Sequence, residues 1–383
     1  MIYFDQASSS FPKAPPVPDA VRDFLAKGAT NISRGGVNAA FDANQLVYRL
    51  RRDLLAEFGA EDKMLTFCPN VTTALNYLIK GYFKAGDHLL ITGLEHNAVM
   101  RPLEQMKSQG VSYSVIPCDA AGRLNLDLVE TLIRPETKAI LSTSASNVCG
   151  TIMPLAELAQ IAQARHLEFF VDGAQLAGYQ RIDVKRLGIT ALGLTGHKSL
   201  LGPQGIGALI LSEELGEQME PILAGGTGSL SNSFEMPRML PDRFEAGTQN
   251  LPGIAGLLAS LDWLKENGSE ASQHEFELAV KFIRGLEALN LKVVGLGSAE
   301  STPERRVPLV SLDLPDGDVA LLSAFLETEY EILTRVGLHC APLAHQSLGT
   351  YPRGTIRFSF GYSQTEAEVD LALEAIAEYL SFA

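Results

Sequence analysis

Along the first two thirds of the chain, short unbroken apolar runs alternate with stretches in which apolar residues recur at helical spacing. Helical spacing lays one apolar stripe along a helix, whereas a short continuous run bounded by turn residues reads as a strand buried on both faces. On that basis residues 45–58 and 72–83 are predicted helices and 88–92 a strand. Strand 111–117, helix 124–133, strand 139–143, helix 155–165 and strand 168–171 continue the alternation. Such a rhythm predicts an α/β fold: a mostly parallel sheet with helices on both faces and a ligand crevice at the carboxyl ends of its strands.

The run 205–211 follows the run 191–194 closely enough to pair with it antiparallel. A loop bearing Gly, Ser, Asn and Pro spans 225–247, and two long helical patterns follow at 253–266 and 272–289. The tail reads as an α+β unit of strand 307–312, helix 319–329, strand 355–360 and helix 366–380. The expected organisation is an N-terminal arm, 1–20, packing with a small unit; a large domain, 21–255; and a small C-terminal domain, 256–383.

Composition narrows the partners. A chain of 383 residues can bury the core of a large domain and a smaller one. With 31 Lys and Arg against 45 Asp and Glu, the net charge is −14, and there is no basic cluster to offset it. Nucleic acid and anionic membrane are therefore disfavoured, and small molecules or proteins are favoured. Met1-Ile2-Tyr3-Phe4-Asp5 has neither the basic region nor the apolar core of a secretory signal, and no apolar segment reaches membrane-spanning length. Cys68, Cys118, Cys149 and Cys340 lie far apart without metal-type spacing, which points to a reduced, cytoplasmic chain without a metal site.

The candidate chemistry lies at the predicted strand ends. Lys198 follows the apolar run 191–194 within Thr195-Gly196-His197-Lys198, and Asp172 closes another run within Val171-Asp172-Gly173-Ala174-Gln175. Pyridoxal phosphate chemistry needs this pair: an amine to form a Schiff base with the cofactor aldehyde, and a carboxylate to keep the pyridine nitrogen protonated. Each residue alone also fits a plainer role, Asp172 as a turn cap and Lys198 as a solvated cation. A phosphate needs N–H donors at a helix start together with hydroxyls. Thr72 opens a predicted helix, and Thr195 and His197 flank the lysine. His96, just past strand 88–92, is placed to stack on a flat ring, or is a surface loop histidine. Asn147 and Gln175, also past strand ends, could donate to the cofactor's phenolic oxygen.

Beyond these groups, Phe4-Asp5-Gln6-Ala7, Arg34-Gly35-Gly36, Glu95-His96, Ser146-Asn147-Val148, Gly196-His197-Lys198, Phe244-Glu245-Ala246-Gly247-Thr248, Arg335 to Ala341 and Arg357-Phe358-Ser359 occur in order. With them the chain resembles the class V, fold-type I pyridoxal-phosphate enzymes, specifically the cysteine desulfurase and selenocysteine lyase group. The resemblance implies a mostly parallel seven-stranded sheet between helices, plus a smaller C-terminal α+β domain. It implies Lys198, Cys340 and His96 as catalytic residues. Thr72, His96, Asn147, Asp172, Gln175, Thr195, His197 and Lys198 would hold the cofactor, with Thr248 reaching its phosphate from the other subunit of a homodimer. Arg357 would clamp the substrate carboxylate, with Asn147, Arg335 and Arg34 also at the substrate.

Cys340 resembles the catalytic cysteine of Suf-type desulfurases, whose Arg-x-Gly-His-His-Cys-Ala run has Leu338 here in place of the first histidine. Asn70-Val71-Thr72-Thr73 stands where Suf-type members have Gly-Thr-Thr-Glu, Gln6 replaces a common Asn, and the loop from Lys198 to Gly205 is one residue longer. That longer loop is similar to one in a subgroup known only as desulfurase-like. The implied reaction converts L-cysteine to alanine, with sulfur carried on Cys340 as a persulfide to an acceptor protein. Alternatives are β-elimination to pyruvate, selenocysteine cleavage, amino transfer, or an inactive cofactor-binding scaffold for sulfur carriers.

Overall fold

The strands at the centre of the chain are apolar at nearly every position, and their side chains sort to two sides. In β6 below, Phe169 and Val171 enter one buried cluster while Phe170 enters another. Alternation of side chains along a strand requires this split, and apolar residues at both parities require cover on both faces. A computed structural model describes residues 1–26, 39–314 and 317–382. In chain order the strands are β1 (Ile2–Tyr3), β2 (Met64–Cys68), β3 (His88–Thr92), β4 (Ser112–Ile116), β5 (Thr137–Thr143), β6 (Glu168–Asp172), β7 (Ala191–Thr195), β8 (Gly207–Leu211), β9 (Val293–Val294), β10 (Leu309–Leu312), β11 (Ile332–Leu333), β12 (Arg335–Gly337) and β13 (Thr355–Ser359).

The large sheet has the order β2-β8-β7-β6-β5-β3-β4. β8 alone runs against its neighbours, paired antiparallel to β2 and to β7. The carboxyl ends of β2, β3, β5, β6 and β7 therefore share one edge, where the crevice was expected. A second sheet, β12-β13-β10-β9, builds the C-terminal unit around Phe282, Phe358 and Phe360. The arm is tied to that unit, since β1 pairs parallel with β11.

Two sequence expectations are corrected, and one further helix appears. Residues 253–266 and 272–289 form one continuous helix, Leu251–Ala288, which runs across the expected boundary at 255/256. Its first part buries Ile254, Leu257 and Leu261 in the large core, and its last part buries Leu278, Phe282 and Leu286 in the small one. Gly268 between them costs only about 1 kcal/mol relative to Ala, too little to break a helix anchored at both ends. The helix expected at 124–133 shrinks to a 3₁₀ turn, Leu126–Leu128, and one α turn, Val129–Leu132. Pro135 disfavours helical backbone at Arg134, and the chain turns into β5. The helix Asn97–Lys107, which carries Pro102 inside it, was not foreseen. Among the described residues no helix is long and apolar enough to cross a membrane.

The two units meet at the loop after β5. Asn147 O accepts from Arg357 Nη1 at 2.9 Å and Val148 O from Ser311 Oγ at 2.6 Å. Cys149 O accepts from Arg306 Nη2 at 3.0 Å, and Gly150 O from Val307 N at 2.9 Å. Four consecutive carbonyls are thus held by the C-terminal unit, which leaves this loop little freedom to shift by itself. Arg306 is fully buried among carbonyls, and burial pulls its guanidinium down to about 10.

Candidate active site

β6 and β7 pair parallel with Asp172 opposite Gly193, so Asp172 and the turn bearing Lys198 leave the sheet side by side. That turn is fixed from two directions. Ser9 Oγ, Ser10 N, Ser10 Oγ and Lys13 Nζ of the arm all donate to His197 O, at 3.3, 2.9, 3.1 and 3.0 Å. Behind it stands Gly178, at φ +94°, where a side-chain carbon would lie 2.4 Å from Ser199 O. Only glycine fits that position, both for its left-handed backbone and for the close approach.

The Lys198 amine makes no hydrogen bond within the described residues, while the residue's carbonyl accepts from Leu201 N at 2.7 Å. Loss of solvent pulls its ammonium down to about 8, against an opposing pull from Asp172. Asp172 is buried, with Oδ1 accepting Ala174 N–H at 2.9 Å. Burial holds its carboxyl above the usual range, which Ala174 N–H and Lys198 partly offset. A cationic ring nitrogen is the partner that such a desolvated carboxylate lacks. The lowered lysine has a measurable consequence. Cofactor capture needs the free amine, so its rate in cofactor-free protein should rise with a midpoint near pH 8 instead of 10.5. Stopped-flow absorbance across that range would show it, and a rate still climbing at pH 10 would contradict it.

Thr195 Oγ1 and His197 Nδ1 are buried without any partner. Burying such groups unpaired is costly, so their position beside Lys198 marks a place for an acceptor-rich ligand such as a phosphate. The start of the helix Val71–Tyr82 rests on the same strand ends, since a side-chain carbon on Gly207 would lie 2.9 Å from the Asn70 Cα. Thr72 is exposed there, and Asn70 Oδ1 caps the helix through Thr73 N–H at 3.2 Å. These residues fit the cofactor that the sequence pointed to: two orphaned donors or acceptors, a helix start, a lowered lysine and a desolvated aspartate.

His96 caps the helix Asn97–Lys107, with Nδ1 accepting Ala98 N–H at 3.0 Å. The ring proton therefore sits on Nε2, and burial with nearby Lys198, Arg357 and Arg101 pulls the imidazole to about 4. A neutral ring suits stacking and does not suit acid catalysis near neutral pH. Asn147 Nδ2 donates to His339 O at 2.8 Å, and Gln175 Nε2 donates to Ala7 O at 3.2 Å. Arg357 is buried, its Nη2 donating at 2.8 Å to both Asp5 Oδ1 and Ser8 Oγ.

Cys340 is exposed, in a turn where His339 and Cys340 both adopt left-handed backbone, at φ 48° and 56°. Its carbonyl accepts Asn97 N–H at 2.7 Å, which pins the turn to the helix that His96 caps. His339 points the other way, into the core, with Nε2 on Thr355 Oγ1 at 2.8 Å. Burial holds it well below its usual range, so it is a neutral neighbour and supplies no positive charge to the thiol. Arg335 is half-exposed on β12. Thr248 is exposed on a separate surface cavity of about 670 Å³ with Tyr48, Arg51 and Gly226, which no other expected site residue among the described ones lines. Arg34 lies outside the described residues.

The sequence reading missed several contributors. Asp5 and Ser8 hold Arg357, and Gln6 shapes the arm by exchanging hydrogen bonds with Phe11 N and O at 2.8 and 2.6 Å. Glu95 is fully buried, Oε1 accepting from Thr92 Oγ1 at 2.6 Å and Thr143 N at 2.8 Å while Oε2 has no partner. Burial, aided by the nearby charge of Asp172, raises it to about 8. Its folded pKa exceeds its unfolded one, so the stability it contributes is complete below about 4.5 and fades as pH rises through about 8. Glu95→Gln should therefore compare more favourably with the parent at pH 8.5 than at pH 5.5. Calorimetric melting at the two values would show this, and a difference independent of pH would refute it.

The family description "Aminotransferase class-V" matches residues 2–372. A protein named probable cysteine desulfurase from Halalkalibacterium halodurans is 31% identical, over 99% of this chain and 94% of its own length. One of the same name from Methanothermobacter thermautotrophicus is 28% identical, over 98% of this chain and 94% of its own. The solved cysteine desulfurase of Thermococcus onnurineus, in its apo form, superposes with a TM-score of 0.91 at 29% identity, covering 100% of this chain and 95% of that one.

Proposed function

The chain belongs to the class-V aminotransferase family, and from that premise we propose that it is a pyridoxal-phosphate-dependent cysteine desulfurase, which takes sulfur from L-cysteine onto Cys340 and leaves alanine. The observation that carries the reading is the Cys340 turn. Two consecutive left-handed residues present the thiol outward, while the Cys340 carbonyl anchors the turn on Asn97 beside His96. A cysteine kept only for packing would be turned inward, as Cys149 is.

Bound pyridoxal phosphate supplies the electron sink for a substrate carbanion. Thr195, His197 and the helix start at Thr72 would bind its phosphate, and Asp172 would hold a proton at its ring nitrogen. His96 would offer the ring a neutral flat face, and the amides of Asn147 and Gln175 would donate to the phenolic oxygen. Arg357 grips the substrate carboxylate. Lys198, whose burial lets its amine lose a proton far more readily than an ordinary lysine, removes the proton at the substrate Cα and returns protons to the product carbon. The Cys340 thiolate attacks the substrate sulfur. As the new S–S bond forms, the Cβ–S bond breaks, and its electron pair stays with carbon and is protonated to give the methyl group of alanine. The persulfide then passes to a thiol acceptor, a protein that docks at the exposed Cys340 turn.

Thr248, exposed on its own cavity, would complete the phosphate site of a second copy, so the active form is a homodimer. Four free cysteines are in keeping with a reducing, cytoplasmic setting. The deciding experiment is the carbon product from L-cysteine under reducing conditions. Alanine in step with sulfide is expected, whereas pyruvate with ammonia would replace this reading by β-elimination.

A further inference from the structure

β12 and β13 pair antiparallel with Arg335 directly opposite Arg357, so two guanidiniums stand on one face of neighbouring strands. Like charges in that position repel. The carboxylate of Asp5 lies between them, Oδ1 2.8 Å from Arg357 Nη2 and Oδ2 3.6 Å from Arg335 Nη1. Its backbone is held on both sides, with Ser359 N donating to Phe4 O at 2.7 Å and Ala7 N donating to Ser359 Oγ at 2.9 Å. The backbone therefore stays in place, and the side chain, whose Oδ1 also accepts from Ser8 Oγ at 2.7 Å, is the part that can turn between the two arginines.

Arg357 has little left to give. One Nη1–H is on Asn147 O, and Nη2 is shared between Asp5 and Ser8. Nε is buried with no partner. A two-pronged grip on a carboxylate uses two N–H groups along one edge of the guanidinium, and Nε with Nη2 is such an edge. The orphaned Nε marks one prong, and Asp5 holds the other. The charge count agrees: two guanidiniums and one carboxylate leave a single positive charge, which one incoming carboxylate would balance.

We infer that Asp5 is a specificity-determining residue, which occupies the anion site of Arg357 and yields it to a monocarboxylate substrate by swinging onto Arg335. The inference rests on Arg357 being the carboxylate clamp. Arg335 is 46% exposed and already within reach, so the exchange trades a buried ion pair for a more solvated one and makes substrate binding weaker than Arg357 alone would allow. Keeping one carboxylate permanently between the arginines also excludes a second acidic group on the ligand. Without Asp5 the paired guanidiniums become a dicarboxylate site.

Propionate and succinate binding to the cofactor-free protein, followed by ligand-observed NMR, tests this without turnover. Asp5→Asn is expected to bind propionate about tenfold more tightly and to gain succinate binding that the parent lacks, the scale expected when a competing charge is removed. Arg335→Gln, a substitution at an exposed site, should weaken propionate several-fold by leaving Asp5 no second partner. In holoenzyme, Asp5→Asn should lower the KM for L-cysteine with a smaller change in kcat. If Arg357→Gln binds propionate as well as the parent, the clamp reading itself fails. If Arg357→Gln loses binding while Asp5→Asn gains neither propionate affinity nor succinate, the role of Asp5 is overturned and the clamp stands. Should Asp5→Asn fold poorly, unweakened propionate binding in Arg335→Gln overturns the exchange by itself.

Discussion

Lys198→Ala is expected to lower turnover of L-cysteine at least about a thousandfold, the scale on which a positioned general base contributes. The same change should leave the chain unlabelled when holoenzyme is treated with borohydride, whereas mass spectrometry of the parent should find the cofactor fixed to the lysine peptide. The reason is local. Asp172, Thr195 and His197 are already positioned by β6 and β7, and the arm holds the lysine turn through His197 O, so removing the amine deletes the chemistry while leaving its surroundings. A variant that keeps its label would move the attachment to another residue. Lys13, whose amine is also lowered to about 8 and lies 3.0 Å from His197 O, would be the first to examine.

Cys340→Ala should reduce sulfide release from L-cysteine by about a thousandfold or more, the scale of losing a nucleophile. It should leave the visible absorbance and the melting temperature near those of the parent. The side chain is exposed, and the anchoring contact to Asn97 uses the Cys340 carbonyl, which alanine retains. Full turnover in this variant would assign the chemistry to elimination and reduce Cys340 to a bystander. Because His339 is neutral and turned inward, His339→Asn should affect packing around Thr355 more than thiol reactivity.

Much of this arrangement is legible along the chain, for a physical reason. In parallel strands the side chains that meet a ligand follow immediately after the apolar run, so Asp172, Lys198, His96 and Asn147 advertise themselves by position. The parallel strands β3 to β7 and the reversed β8 follow from runs long enough to show their burial. The two-residue strands β1, β9 and β11 carry no such signal, because periodicity needs length. Likewise the two helical patterns at 253–266 and 272–289 are one helix, because anchoring at both ends outweighs the small local cost of the residues between them.

What lies across long sequence separations is a different matter. Nothing local announces that Asp5 and Arg357, 352 residues apart, form an ion pair, or that Arg335 faces both. Nor does the order of residues reveal that His339 turns inward while Cys340 turns out, since that depends on two left-handed residues and on Asn97 across the crevice. By itself the sequence determined the fold class and the cofactor chemistry, and it pointed to most of the residues proposed to serve it, since each is written in short-range patterns. The tertiary structure alone decided protonation, orientation and competition among charges, since these depend on solvent exclusion and on neighbours that only folding brings together.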